Sequence, residues 1–84
     1  MNNEELATLI KENKKDYYLR IEEIIEELDF EQLLSMCEDK NVLNFQELVS
    51  KEFDILIDQI ECEEIDDIET FFVNLKDEVE SIYK

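Results

Sequence analysis

The chain has 84 residues, with 25 Asp and Glu against 8 Lys and Arg for a net charge of −17, 44% apolar residues, and no Gly, Pro, His or Trp. One small domain is all this length allows, and the apolar content sets it apart from the low-hydropathy composition of disordered chains. Without histidine, Ser-His and Cys-His catalysis and the Glu-x-x-His pattern of di-metal bundles are excluded, and no apolar run reaches the roughly 18 residues of a membrane span.

The lack of glycine and proline removes the usual residues of tight β-turns and bulges, so the chain reads as a single all-α domain over residues 1–84, a small four-helix bundle. In the first segment Ala7, Ile10, Lys14, Tyr17, Ile21, Ile24 and Leu28 step by three and four, which predicts one helix over about 3–28, with the polar run 11–16 leaving open whether it is continuous. Lys14 stands in that apolar series and marks the kink. A short helix over 30–38 carries Phe30, Leu33, Leu34 and Cys37 on one side. A third segment carries Phe45, Leu48, Val49, Phe53, Leu56 and Ile60, and a fourth Ile68, Phe71, Phe72, Leu75, Val79 and Ile82. The four starts share one device: Asn2, Asp29, Asn44 and Asp66 each precede a Glu or Gln by three residues, the spacing of a capping box. The pairs Met1 and Leu6, Leu28 and Leu33, and Leu43 and Leu48 are placed to act as hydrophobic staples.

Charge is distributed unevenly. Residues 1–20 balance Glu4, Glu5, Glu12 and Asp16 against Lys11, Lys14, Lys15 and Arg20, so the whole net charge lies in residues 21–84. With so few clustered cations, direct nucleic-acid binding is not expected, whereas a basic protein surface is a fitting partner. Cys37 and Cys62 do not make a disulfide framework, and with no apolar secretory stretch they read as reduced thiols of a cytoplasmic protein. Cys37 has the helical phase of a buried small hydrophobe, and Cys62 lies in an acidic run that blunts its reactivity. Asp54, Asp58 and Glu61 share a helical face on which a hard cation would find oxygen donors, but a solvated acidic face accounts for them and no metal is expected.

The stretch Phe53-Asp54-Ile55 with Ile57, followed by Ile65, Ile68, Phe72 and Leu75, resembles the C-terminal half of acyl and peptidyl carrier proteins. Phe30 and Leu34 extend the similarity across roughly the last 50 residues. The resemblance implies a small acidic four-helix domain that docks on enzymes. It also implies a phosphopantetheine arm on a serine in Asp-Ser-Leu at the start of the second helix, and here the chain departs from the family. Ungapped alignment puts Asp39 at that position, and the alternative alignment on "NVLNFQELV" puts Val42 there; neither side chain carries the arm. Ser35 would serve as a cofactor site only with a downstream insertion, so no cofactor is expected.

Two functional readings follow. The first is a non-catalytic module of the carrier-protein kind that docks its acidic second and third helices on basic partner surfaces through Glu38, Asp39, Glu47, Glu52 and Asp54. Rim charges of this sort raise association rates and make binding salt-sensitive. The alternative is a DNA-mimic inhibitor of a nucleic-acid enzyme (an anti-restriction, anti-CRISPR or nuclease-toxin immunity protein), in which runs such as "ECEEIDDIE" imitate phosphates. A plain structural subunit, kept soluble by its charge, is a third.

Overall fold

In the computed structural model, which describes residues 2–83, each apolar stripe becomes a helix, and the described residues form five: α1 (Asn3–Glu12), α2 (Lys14–Ile25), α3 (Phe30–Asp39), α4 (Phe45–Glu61) and α5 (Ile68–Ile82). The chain is an all-α small bundle. The count exceeds the four expected because the first segment breaks at Asn13, whose backbone leaves helical geometry (φ −113°, ψ 33°). Its side-chain Nδ2 donates to the Leu9 carbonyl at 2.8 Å, satisfying an acceptor at the break. The bend lets α1 and α2 both lie along α4, while α2 also packs on α5 and α3 packs on α4.

Caps start the helices largely where the spacing predicts. Asn2 accepts from the Glu5 N–H at 2.8 Å, and Asn44 from the Glu47 N–H at 3.0 Å. Asp29 and Gln32 exchange both bonds of a full capping box. The last cap is Asp67 rather than Asp66, because Thr70 offers Asp67 Oδ1 two donors, its N–H at 2.7 Å and its hydroxyl at 2.9 Å. Leu28 and Leu33 both pack against the core's edge. Leu43 does not, since it is exposed and its N–H instead donates to Glu47 Oε2 at 2.7 Å. The Met1 staple lies outside the described residues.

Two helices end in Schellman turns that chains usually close with glycine. After α3, the Val42 N–H bonds the Cys37 carbonyl at 2.9 Å with Asn41 at φ 60°; after α4, the Glu64 N–H bonds the Gln59 carbonyl at 2.8 Å with Glu63 at φ 58°. A chain without glycine fills the left-handed positions with Asn and Glu, and the glutamate, which lacks the short side chain that lets asparagine bond its own backbone, is the less comfortable of the two.

Helix α4 is central, burying Leu48, Val49, Phe53, Leu56, Ile57 and Ile60. Around it the core gathers Ala7, Ile10, Ile21, Ile25, Met36, Cys37, Phe71, Phe72, Leu75, Val79 and Tyr83. Tyr18 meets Phe53 edge-on at 4.9 Å, and Phe71 meets Phe72 edge-on at 5.4 Å. Lys14 does not enter the core: its side chain is exposed, with Nζ 5.3 Å from the Tyr18 ring and 5.5 Å from the Phe53 ring. Three expected core positions are corrected as well. Ile82 is exposed and Tyr83 takes its place, and α3 turns Leu33, Met36 and Cys37 inward while Phe30 and Leu34 face out.

Candidate protein-binding surface

All but three of the acidic residues are exposed; Glu22 and Glu78 are half-buried and Glu52 is buried. Glu52 is therefore a correction to the expected partner surface. It is 2% exposed because it sits four residues after Leu48 and four before Leu56, on the apolar arc of α4. Lys40, at the end of α3, places Nζ 3.4 Å from Glu52 Oε1 and 3.1 Å from Glu78 Oε1. The Glu52 Oε1 atom is fully buried, and its approach to Lys40 is an ion-pair distance without hydrogen-bond alignment. Burial pushes the Glu52 carboxyl above its ordinary range, the Lys40 charge pulls it back in part, and Glu78 adds to the rise. Burial alone would lower the Lys40 ammonium, but Glu52 and Glu78 outweigh it and the pKa is raised.

The other four predicted residues lie at the surface in different states. Asp39, the last residue of α3, accepts a hydrogen bond from the Tyr83 hydroxyl, so it ties α3 to the end of α5. Burial first, and that bond second, raise the Tyr83 pKa. Glu47 is exposed, but its carboxylate is engaged by the Leu43 N–H. Glu38 is exposed at the end of α3, and Asp54 is exposed on α4. Asp54, Asp58 and Glu61 line a shallow groove with Lys11 and Lys14, and Lys11 pairs with Glu61 at 3.3 Å. The cations that this acidic face meets are thus lysine ammonium groups.

The densest exposed acid lies elsewhere, at one end of the bundle. Residues 58–69 carry Asp58, Glu61, Glu63, Glu64, Asp66, Asp67 and Glu69, all exposed, and no base. Asn3 pins this turn to the start of α1 by donating to the carbonyls of Ile60 at 2.9 Å and Ile65 at 3.0 Å, which brings Glu4 and Glu5 to the same pole. Arg20 crosses from α2 to Glu69 at 3.0 Å while its guanidinium lies 3.9 Å above the Phe72 ring. The sequence signalled this pole through its run of carboxylates, but the Asn3 bonds that hold it have no local signature.

Both cysteines are free thiols. Cys37 is buried, and burial, with Glu47 next, raises its pKa; Cys62 is exposed and raised by Asp58 first. Both shifts keep the thiolate scarce near neutral pH. The residues at the carrier-protein serine position do not fit a phosphopantetheine arm. Asp39 closes α3 and is occupied by Tyr83, Val42 lies between helices, and Ser35 is exposed in mid-α3 rather than at a helix start. No helix among the described residues is long and apolar enough to cross a membrane.

Compared with models of protein families, with curated proteins and with solved structures, the chain finds no match.

Proposed function

We propose that this chain is a non-catalytic acidic helical module that docks on the basic surface of a partner protein. The observation that carries the reading is the exposure of nearly all its carboxylates, with the densest run at the pole formed by residues 58–69 and continued along α4 by Asp54. Most of the charge is uncompensated on the folded surface, only Glu61 and Glu69 of the pole meeting a base among the described residues, and its self-repulsion lowers the stability of a small domain. A cationic partner surface relieves that repulsion, which gives the charge a use that solubility alone does not require. The likeness of residues 53–75 to carrier proteins supports the same reading, with docking retained and the prosthetic arm absent.

The test is capture of partners from cell extract with the native chain and with a Glu63→Gln/Glu64→Gln/Asp66→Asn variant, followed by sodium chloride titration of the purified complex. The native chain is expected to retain a partner with a basic surface that the variant loses, with affinity falling as salt rises. A complex indifferent to salt, or equal capture by both chains, refutes the reading. Displacement of the partner by duplex DNA assigns the chain instead to DNA mimicry, for which the carboxylate run at 58–69 is the supporting feature.

A further inference from the structure

Helix α3 is held from one side. Its inward arc is Leu33, Met36 and Cys37, with Lys40 reaching into the interior, and α4 is the helix it packs on. Along the edge of that arc Phe30 is 73% exposed and Leu34 is 49% exposed. They stand four residues apart, so they lie one above the other on a single face. Just past the Schellman turn Leu43 is 84% exposed. Burial of each such side chain would be favourable, yet the fold leaves all three in water while neighbouring Leu28 and Leu33 pack inward.

The borders of this apolar edge are acidic. Glu31 and Glu38 are exposed on α3, and Glu47 Oε2 lies 2.7 Å from the Leu43 N–H, so a carboxylate sits directly beside the third apolar residue. A second copy of the chain is a poor occupant. It would bring two such rims together on molecules that each carry a charge of −17. A partner helix with an apolar stripe flanked by lysine or arginine matches both the i, i+4 anchors and the rim charge.

We propose that Phe30, Leu34 and Leu43 form a docking edge for a basic amphipathic helix of a partner protein. The proposal rests on the protein-binding function above and adds where the affinity arises: apolar anchors on α3, with the carboxylates setting approach and orientation.

The probe is a synthetic peptide of about 14 residues made of Leu and Lys, with leucines at i, i+3, i+4 and i+7. A scrambled peptide of the same composition is the control. Binding is followed by fluorescence anisotropy at about 0.15 M sodium chloride. The amphipathic peptide is expected to bind about ten-fold or more tightly than the scrambled one. Phe30→Ser/Leu34→Ser, at exposed positions, should remove that advantage without changing the far-UV circular dichroism or the weak binding of the scrambled peptide. Val73→Ser/Ile82→Ser, at exposed apolar positions elsewhere, should leave it intact. Amide shifts in NMR should centre on residues 30–34 and 43.

An advantage that survives Phe30→Ser/Leu34→Ser, or shifts centred on another face, overturns the docking edge. Equal, salt-sensitive binding of both peptides also overturns it but leaves the acidic-module reading standing, whereas no binding of either peptide counts against both. A dimer of the free chain in sedimentation equilibrium that Phe30→Ser/Leu34→Ser dissociates would make the occupant a second copy and overturn the assignment to a basic helix.

Discussion

Replacing Lys40 by methionine keeps the aliphatic stem and removes the cation that Glu52 and Glu78 share. At 3.4 and 3.1 Å and an effective dielectric of roughly 20, each pair attracts by about 5 kcal/mol before desolvation is counted. Stripping water from Glu52 offsets much of this, so the relevant quantity is the cost of leaving a buried carboxylate without its partner, about 3–5 kcal/mol. The Lys40 and Glu78 side chains keep 23% and 27% of their surface in solvent. That partial hydration puts the expected loss at the lower end, about 3 kcal/mol. The assay is urea unfolding near neutral pH, followed by far-UV circular dichroism. With a slope of about 1 kcal/mol per molar urea for a domain of this size, the midpoint should fall by roughly 3 M. Adding Glu52→Gln to Lys40→Met should restore most of the loss, because a neutral amide of the same shape no longer requires a cation. A loss below about 1 kcal/mol, the range of exposed ion pairs, would refute the reasoning. So would a double variant no more stable than Lys40→Met alone.

Glu63→Gly should stabilise the chain by about 1 kcal/mol in the same unfolding assay, since only glycine holds φ near 58° without a Cβ clash, while Asn41→Gly should change little. Asn44→Ala removes the cap of α4 and should lower stability by about 1 kcal/mol. Stability should rise as pH falls through the folded value of Glu52 toward its ordinary 4.5, and decline below the ordinary 3.8 of Asp67. The raised Glu52 carboxyl contributes stability that is fully present below its ordinary 4.5 and lost as pH rises through its folded value, whereas the lowered Asp67 carboxyl contributes stability present above its ordinary 3.8 and lost as pH falls. In urea melts across pH, Glu52→Gln should flatten the first slope and leave the acid decline in place. Added sodium chloride should raise the unfolding midpoint near neutral pH by screening the surface carboxylates, and a midpoint that falls on going from about 0.01 to 0.15 M salt would contradict that.

The helices were legible because their signals are local and repeated: a cap residue, a carboxyl or amide three positions on, and an apolar step of three or four. The polar run 11–16 left the continuity of the first stripe open, and the backbone at Asn13 decides it as a break. What escaped were choices between neighbours that local spacing leaves equal. Asp66 and Asp67 both precede a usable N3 residue, and the Thr70 hydroxyl decides between them. Ile82 and Tyr83 both fall in the last turn, and the Asp39 carboxylate across the bundle selects Tyr83. Glu52 had the phase of a core residue between Leu48 and Leu56, but its charge argued for the surface. The signal that would have placed it inside is Lys40, the lone base between residues 21 and 50. In the candidate surface, the exposed run at 58–69 was readable from composition, whereas the orientation of α3 was not, because a ten-residue helix with few apolar positions takes its rotation from distant partners.

Those partners explain why α3 presents Phe30 and Leu34 to solvent. A buried glutamate–lysine pair is often replaceable by apolar side chains without loss of stability, so stability alone does not account for Lys40, Glu52 and Glu78. What the charged cluster adds is direction. Consecutive residues at the end of α3 reach in different ways, Asp39 to the Tyr83 hydroxyl and Lys40 to carboxylates on both α4 and α5. A rotation of α3 that buried Phe30 and Leu34 would draw Lys40 away from Glu52 and strand a carboxylate that is 2% exposed. The apolar gain of that rotation, about 1.5–3 kcal/mol for each side chain, is met by the 3–5 kcal/mol of an uncompensated buried charge together with the loss of the tyrosine bond. The interior ion cluster and the proposed docking edge are thus two sides of one helix, and the first holds the second in place.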